Sequence, residues 1–503
     1  MTERTSYHQI LRSSSIIGGA SVINVLISLL RIKVVAVVLG PAGVGLVGLF
    51  QNLIATAATA SALGFGTVGT RQIAEAVGQD DAPAVAAARR ALFWGTLVLA
   101  LVGAVVFWLL RDSVAVHVLG DAGLADEVGW LAVGVGLTVA AGSQAALLTG
   151  MRRIGDIARL SVVSAVLSTV LGLGALWLWG TQGLIVFVVA VPLASFLCGH
   201  WYVARLPKVP LARTPLPQLF GQWRVMVRLG SAFMVAGVMG SLGYLLVRTL
   251  VQRELGLEAL GHFQAAWAIS MTYLGFVLGA MGTDYYPRLT ASIHDHAATN
   301  RLVNEQTEVA LLLAGPVLLA MLALAPWVIR LLYTAEFAEA ASILRWQLLG
   351  DVLKIASWPL GFILLASGAG KAFMFSETLA IAVFVLLVWL GLPLLGVQAT
   401  GLAFVGMYVC YLPLVYWLAR RRTRFVWTGG VARLALLLVF TALAVCLLAH
   451  WREWVGVAVG LAATVVFGIH GLTRLGSMIG PEGRLGRVIA GGNKLVEGLK
   501  VWK

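Results

Sequence analysis

One nine-residue run concentrates ionisable chemistry in an otherwise apolar stretch. Trp346-Gln347-Leu348-Leu349-Gly350-Asp351-Val352-Leu353-Lys354 sets a carboxylate and an ammonium at i and i+3. On a helix these share a face and can neutralise each other. The pair reads in two ways: a structural ion pair, or a site where Lys354 offers charge to an anion while Asp351 holds it or takes a proton. Glu377, in the next apolar stretch, is either a second coupling carboxylate or an interface carboxylate. Arg31, Lys33 and Arg248 are the other cations within apolar segments, and each is a ligand for an anion or a side chain snorkelling to the headgroups. Arg31 stands eight residues before Leu39 and Arg248 seven before Leu255, so the two are expected at matching depth, facing each other. Asn24, Gln51, Asn52 and Gln144 are neutral polar groups in apolar stretches, suited to sugar hydroxyls or to bonds between helices.

Where acids are missing is equally informative. Every Asp and Glu in residues 1–227 falls in a tail or loop, so the first half offers cations but no anions within the membrane, which suits an anionic cargo better than a cationic one. No paired carboxylates with a plausible pocket, metal-ligand spacing, phosphate-cradling glycine loop or nucleophile elbow occurs. Neither an enzyme nor a cofactor is expected. Cys198, Cys410 and Cys446 lie in apolar segments and read as small hydrophobes, without a disulfide framework.

The elements that must position these groups are membrane helices. The chain is 60% hydrophobic and 12% charged, with a mean hydropathy of +0.92, and apolar stretches of spanning length recur throughout. The first apolar run is too long for a cleavable signal and carries Arg31 and Lys33. Fourteen spans are read, centred on residues 13–38, 44–68, 91–110, 128–149, 160–179, 183–204, 229–251, 261–284, 309–329, 344–366, 372–392, 397–418, 434–450 and 454–471. With the N-terminus inside, 27 of the 36 Lys and Arg residues fall on the inner side and five on the outer. That asymmetry places both termini in the cytoplasm. The net charge of +14 is therefore a topology signal, and nucleic-acid binding drops out.

An internal repeat fixes the expected architecture. At an offset of 216, Arg12 falls on Arg228, Ser15 on Ser231, Leu39-Gly40 on Leu255-Gly256, Gly45 on Gly261 and Gly66-Thr67 on Gly282-Thr283. The offset spans six helices, an even number, so the two copies share one orientation. The fold class expected is an all-α polytopic membrane protein with about 14 transmembrane helices, two parallel six-helix repeats plus an extra helix pair. The domains follow as 1–209, a six-helix bundle; 210–427, a second bundle with an N-terminal linker; 428–471, the added pair; and 472–503, a basic cytoplasmic tail. The join at 205–228 carries Pro207, Pro210, Pro215 and Pro217, which a regular helix cannot run through. Within it, 219–227 reads as a short surface helix or as a solvated linker. The tail from Leu485 to Trp502 reads as an interfacial helix interrupted by Gly491-Gly492.

The Leu39-Gly40-Pro41-Ala42-Gly43-Val44-Gly45-Leu46 segment and the Trp346–Lys354 run, followed by Glu377, resemble the Wzx-type flippases, the O-antigen and enterobacterial common antigen translocases of the multidrug/oligosaccharidyl-lipid/polysaccharide exporter superfamily. The similarity covers roughly residues 10–420. It implies a V-shaped pair of six-helix bundles around a basic cavity in the bacterial inner membrane. It implies a cargo of undecaprenyl diphosphate bearing a short oligosaccharide, moved from the cytoplasmic to the periplasmic leaflet. It also implies a functional basic residue in the first helix, which Arg31 or Lys33 matches. Membrane lipid, proton or sodium coupling and a glycan polymerase partner are further expectations. The rival readings are a cation-coupled drug exporter on the same fold, a polymerase of glycan assembly and a non-transporting scaffold. Absent acids in the first half, outer loops no longer than the 17 residues of 111–127, and membrane-buried charges count against these in turn.

Overall fold

The computed structural model describes residues 3–207 and 216–479, and every regular element among them is helical. The order is α1 (Glu3–Ser61), α2 (Phe65–Gly78), α3 (Ala82–Leu109), the single turn α4 (Arg111–Val114), α5 (Ala125–Gly150), α6 (Ile154–Trp179), α7 (Leu184–Ala204), α8 (Leu216–Ser292), α9 (His296–Ala323), α10 (Ala325–Leu332), α11 (Ala340–Ala366), α12 (Gly370–Leu395), α13 (Gln398–Thr423), α14 (Gly429–Trp451) and α15 (Glu453–Ile479). Among the described residues, eleven helical stretches are long and apolar enough to cross a membrane. Large apolar side chains stand outward, Trp177 and Leu394 at 83% exposure; water would penalise such a surface and lipid solvates it. The protein is a multi-pass membrane protein.

Three of the eleven stretches are about twice the length of one crossing: Gly19–Ser61 and Phe233–Gly275 with 43 residues each, and Ile154–Ala204 with 51. Each is broken at a glycine. Gly40 holds φ 61° and ψ −169°, Gly256 φ 86° and ψ 179°, and Gly180 φ 56° and ψ −131°. These conformations are closed to side chains with a Cβ, so the chain turns there without a separate loop. At the first break Pro41 adds to the effect, because it lacks an N–H and disfavours helix for the residue before it. Five residues beyond the breaks at Gly40 and Gly256 stands a second glycine in close contact. A Cβ on Gly45 would strike the Leu257 carbonyl and the Gly261 nitrogen, and one on Gly261 would strike the Pro41 carbonyl. Small residues are what let two membrane helices bring their backbones together.

Packing divides the chain into two compact units. One holds the described residues through Gln264 with Leu332–Thr334; the other holds Ala265–Leu331 and the described residues from Ala335 onward. In the first, Phe65, Ile73, Leu92, Leu148 and Tyr202 form a core that Leu219 and Met226 complete. The 219–227 segment is therefore a docked helix, and Trp223 Nε1 donates to the Ala91 carbonyl at 2.9 Å. Helix resumes at Leu216, ahead of Pro217, because proline is tolerated in a first turn, where its missing N–H has no partner to lose. Pro210, Pro215 and the tail from Leu485 to Trp502 lie outside the described residues.

In the second unit α11 is the most enclosed span, with Leu344, Leu348, Ile355 and Leu360 fully buried. The pair α14 and α15 packs on α9, with α14 also touching α11. The strand-free link before α14 is pinned to α9 by amides: Asn300 Nδ2 donates to the Thr423 carbonyl at 3.1 Å, and Asn304 Oδ1 accepts from the Thr428 N–H at 2.8 Å. Ion pairs tie α15 down at both ends, Arg345 to Glu453 at 3.6 Å and Arg474 to Glu308 at 2.9 Å.

Candidate functional site

Arg31 sits on the first limb of α1, its guanidinium 4.3 Å from the centre of the Phe187 ring on α7. Its Nη2 is buried and meets no acceptor within the protein. An aromatic face can steady a guanidinium without consuming its donors, which is consistent with Nη2 meeting no acceptor. Lys33 turns elsewhere and donates through Nζ to the carbonyl of Tyr333. Arg248 is buried, at 5% exposure. Its Nε donates to Gln264 Oε1 at 3.1 Å and its Nη1 to the Tyr244 carbonyl at 3.2 Å, with the Phe263 ring 5.8 Å away. Arg31 and Arg248 thus repeat a theme, a guanidinium beside a phenylalanine.

The neutral groups of this unit also differ from one another. Asn24 Nδ2 donates to Ser161 Oγ at 2.6 Å, a bond from α1 to α6. Its Oδ1, Asn52 Oδ1 and Gln144 Oε1 are buried and accept nothing within the protein. Gln51 is exposed. Gln144 owes its place to Gly199, where any Cβ would overlap the amide. Glu75, expected in a loop, stands in the last turn of α2, exposed and paired with Arg71 at 2.7 Å; the other described acids of this unit stand at helix starts, turns and loops, and Glu254 and Glu258, flanking the Gly256 turn, are exposed.

The second unit holds the acid–base groups. Asp351, fully buried on α11, accepts from Ser270 Oγ on α8 at 2.7 Å, while its other oxygen is unpartnered. One turn earlier Gln347 is fully buried with neither amide atom bonded. Lys354 Nζ lies 3.6 Å from Met271 Sδ and 6.0 Å from the ring centres of Phe404 and Tyr408. Among the described residues no contact ion pair joins Asp351 to Lys354. The short carboxylate is captured by the serine facing it, and the long lysine stem carries its charge past toward the aromatic wall. Lys354 still interacts electrostatically with both Asp351 and Glu377. Glu377 on α12 accepts from the Tyr411 hydroxyl of α13 at 2.5 Å. Gly350, inside the Trp346–Lys354 run, makes room for Phe404, whose ring a Cβ there would overlap.

Sequence reasoning missed Phe187, Gln264, Ser270, Tyr408 and Tyr411. Each is an ordinary residue separated along the chain from its charged partner, by 16 residues for Gln264 and Arg248 and by 81 for Ser270 and Asp351, and no local spacing advertises it. The one usable signal was glycine: Gly48 leaves the space that Gln264 fills.

With this geometry in hand, the chain can be set beside known proteins. A family model described as "polysaccharide biosynthesis protein" matches residues 34–342. The lipid III flippase of Escherichia coli (strain K12) is 23% identical over 417 residues, covering 80% of this chain and 97% of the relative; that of Shigella flexneri matches equally. Among solved structures, the inward closed lipid II flippase MurJ superposes with a TM-score of 0.69 at 12% identity, over 92% of this chain and 99% of the other. An inward-facing multidrug resistance MATE family transporter of the MOP superfamily gives 0.68 at 17% identity, over 80% and 94%.

Proposed function

The chain belongs to the polysaccharide biosynthesis protein family, and from that premise we propose that it is a flippase, not an enzyme. In this reading it carries an undecaprenyl-diphosphate-linked oligosaccharide from the cytoplasmic to the periplasmic leaflet by alternating access. Arg31 is the observation that carries the reading: a guanidinium steadied by an aromatic ring, with a buried donor left open, in a unit whose spans hold no carboxylate between their ends. A pyrophosphate is the membrane-borne group that answers such a donor, through charge-assisted bonds. Lys33, Arg248 and Lys354 add positive charge to the path, and Asn24, Gln51, Asn52 and Gln144 meet the glycan. Lipid III and lipid II flippases among the similar proteins support the cargo class.

The architecture proposed is fourteen crossings in two parallel six-helix repeats plus the α14–α15 pair, with domains 1–209, 210–427, 428–471 and 472–503. It is supported by the three double-length stretches, and by the breaks at Gly40 and Gly256 and the reciprocal Gly45–Gly261 contact, both glycine pairs standing at the repeat offset. The protein resides in the bacterial inner membrane with both termini cytoplasmic, which the 27-to-5 basic asymmetry supports. Asp351 and Glu377 couple transport to protons or sodium. The inward-negative potential adds about 2.3 kcal/mol per charge per 100 mV for an anion moving outward.

Depletion in the native cell tests this. Undecaprenyl-diphosphate-linked glycan should accumulate where a membrane-impermeant sugar-modifying reagent cannot reach it. Accumulation within reach would place the block after translocation and indicate a polymerase or scaffold; no accumulation would indicate a drug exporter.

A further inference from the structure

Beside the charged groups, the first unit contains a neutral cavity of about 280 Å³ between α1, α2, α3 and α5. Thr59, Thr96, Thr138 and Ser143 are among its lining residues, with Phe65 as an aromatic one, and none of the lining residues is ionisable. Thr96 is 5% exposed and its Oγ1 has no hydrogen-bond partner within the protein. A buried hydroxyl in that condition is costly unless something meets it. Thr59 and Thr138 each donate to their own helix at 2.7 Å, to the carbonyls of Ala55 and Gly134. Their oxygens therefore remain acceptors.

The lining excludes as well as invites. With no cation it does not suit the pyrophosphate, and with no carboxylate it does not suit an amine. What it matches is a solute that presents several hydroxyls on an apolar ring frame. Its volume equals roughly nine waters at about 30 Å³ each, just under the range of about 300–1,000 Å³ typical of drug-sized ligands. That is room for one sugar ring. Gly142 lines the same cavity, and a Cβ there would have nothing within 4 Å, so a larger side chain at 142 would enter the cavity without displacing protein.

We propose that this cavity is a sugar subsite, holding one residue of the cargo's glycan through Thr96, Thr138 and Thr59 against Phe65. The proposal rests on the flippase reading and adds where the glycan is recognised. A site built around hydroxyl partners discriminates strongly against a ligand lacking them, so the subsite would select glycosylated lipid over bare lipid.

Native mass spectrometry of the full-length protein in lipid–detergent micelles tests it with two probes: undecaprenyl diphosphate, and the lipid-linked glycan extracted from depleted cells. The wild type should bind the glycosylated lipid at least about tenfold more tightly. Thr96→Val should reduce that preference by about threefold to tenfold, the equivalent of one hydrogen bond. Gly142→Leu should abolish it. Affinity for bare lipid should stay unchanged in both variants, which also reports that they are folded. A wild type without preference, or variants that keep it, would overturn the subsite while bare-lipid binding leaves the flippase reading standing. Binding of neither probe by the wild type would overturn both.

Discussion

The two units differ in which ionisable groups the protein itself answers. In the first, Arg31 leans on a phenylalanine and leaves a donor open, while Arg248 is held by Gln264 and Tyr244. In the second, Asp351 is met by Ser270 through one oxygen and Glu377 by Tyr411, and Lys354, beside an aromatic wall, interacts electrostatically with both. Open valences suit a group that binds a transient guest; answered carboxylates suit a group that changes protonation or ion occupancy in place. Within the proposed function, the open Arg31 donor is the first unit's contribution to cargo binding, and the partnered carboxylates are the second unit's contribution to coupling.

The sharpest way to break that division is Arg31→Ala. Loss of charged hydrogen bonds worth about 1.5–3 kcal/mol should lower transport by about 100-fold, read as glycan reaching the impermeant reagent. Arg31→Lys should restore part of it, since the charge returns without the fork. Full transport in the alanine variant, with normal amounts of folded protein, would end the anion-binding role.

Next in size are the breaks at Gly40 and Gly256. Alanine at either must adopt a backbone conformation that costs about 1–3 kcal/mol, to be measured as a lower unfolding midpoint in detergent. Equal losses would sharpen the view that the halves repeat one another. A neutral result at one site would show that the pairing stops at sequence.

Asp351→Asn keeps the shape and the Ser270 contact but removes the charge. Concentrative transport should fall about tenfold, on the order of 1.4 kcal/mol, while bare-lipid binding holds. If folded yield falls instead, the carboxylate is a packing element and the second unit loses its coupling role. Smallest is Glu308→Ala, which severs a pair with the half-exposed Arg474; the midpoint should drop by no more than about 1 kcal/mol equivalent.

Composition and period made the membrane helices legible, because a span must satisfy its own backbone and present apolar side chains over a fixed length. The breaks at Gly40 and Gly256 were marked too, since matching Leu-Gly steps 216 apart announce matching backbone demands. Asp351 and Lys354 were conspicuous as charges in apolar surroundings, and of the ion pair their spacing allowed only an electrostatic interaction without direct contact is present. A helix sets two side chains on one face; only neighbouring helices decide which partner each meets, and Ser270 and the Phe404–Tyr408 wall come from distant sequence. The same limit hid the Thr96 cavity, whose wall residues come from four helices. The sequence by itself determined that the chain is a helical membrane protein, where it breaks and which charges it can least easily bury. Tertiary structure alone decided which of those charges are answered and which stay open, because that depends on side chains that packing brings together and chain order keeps apart.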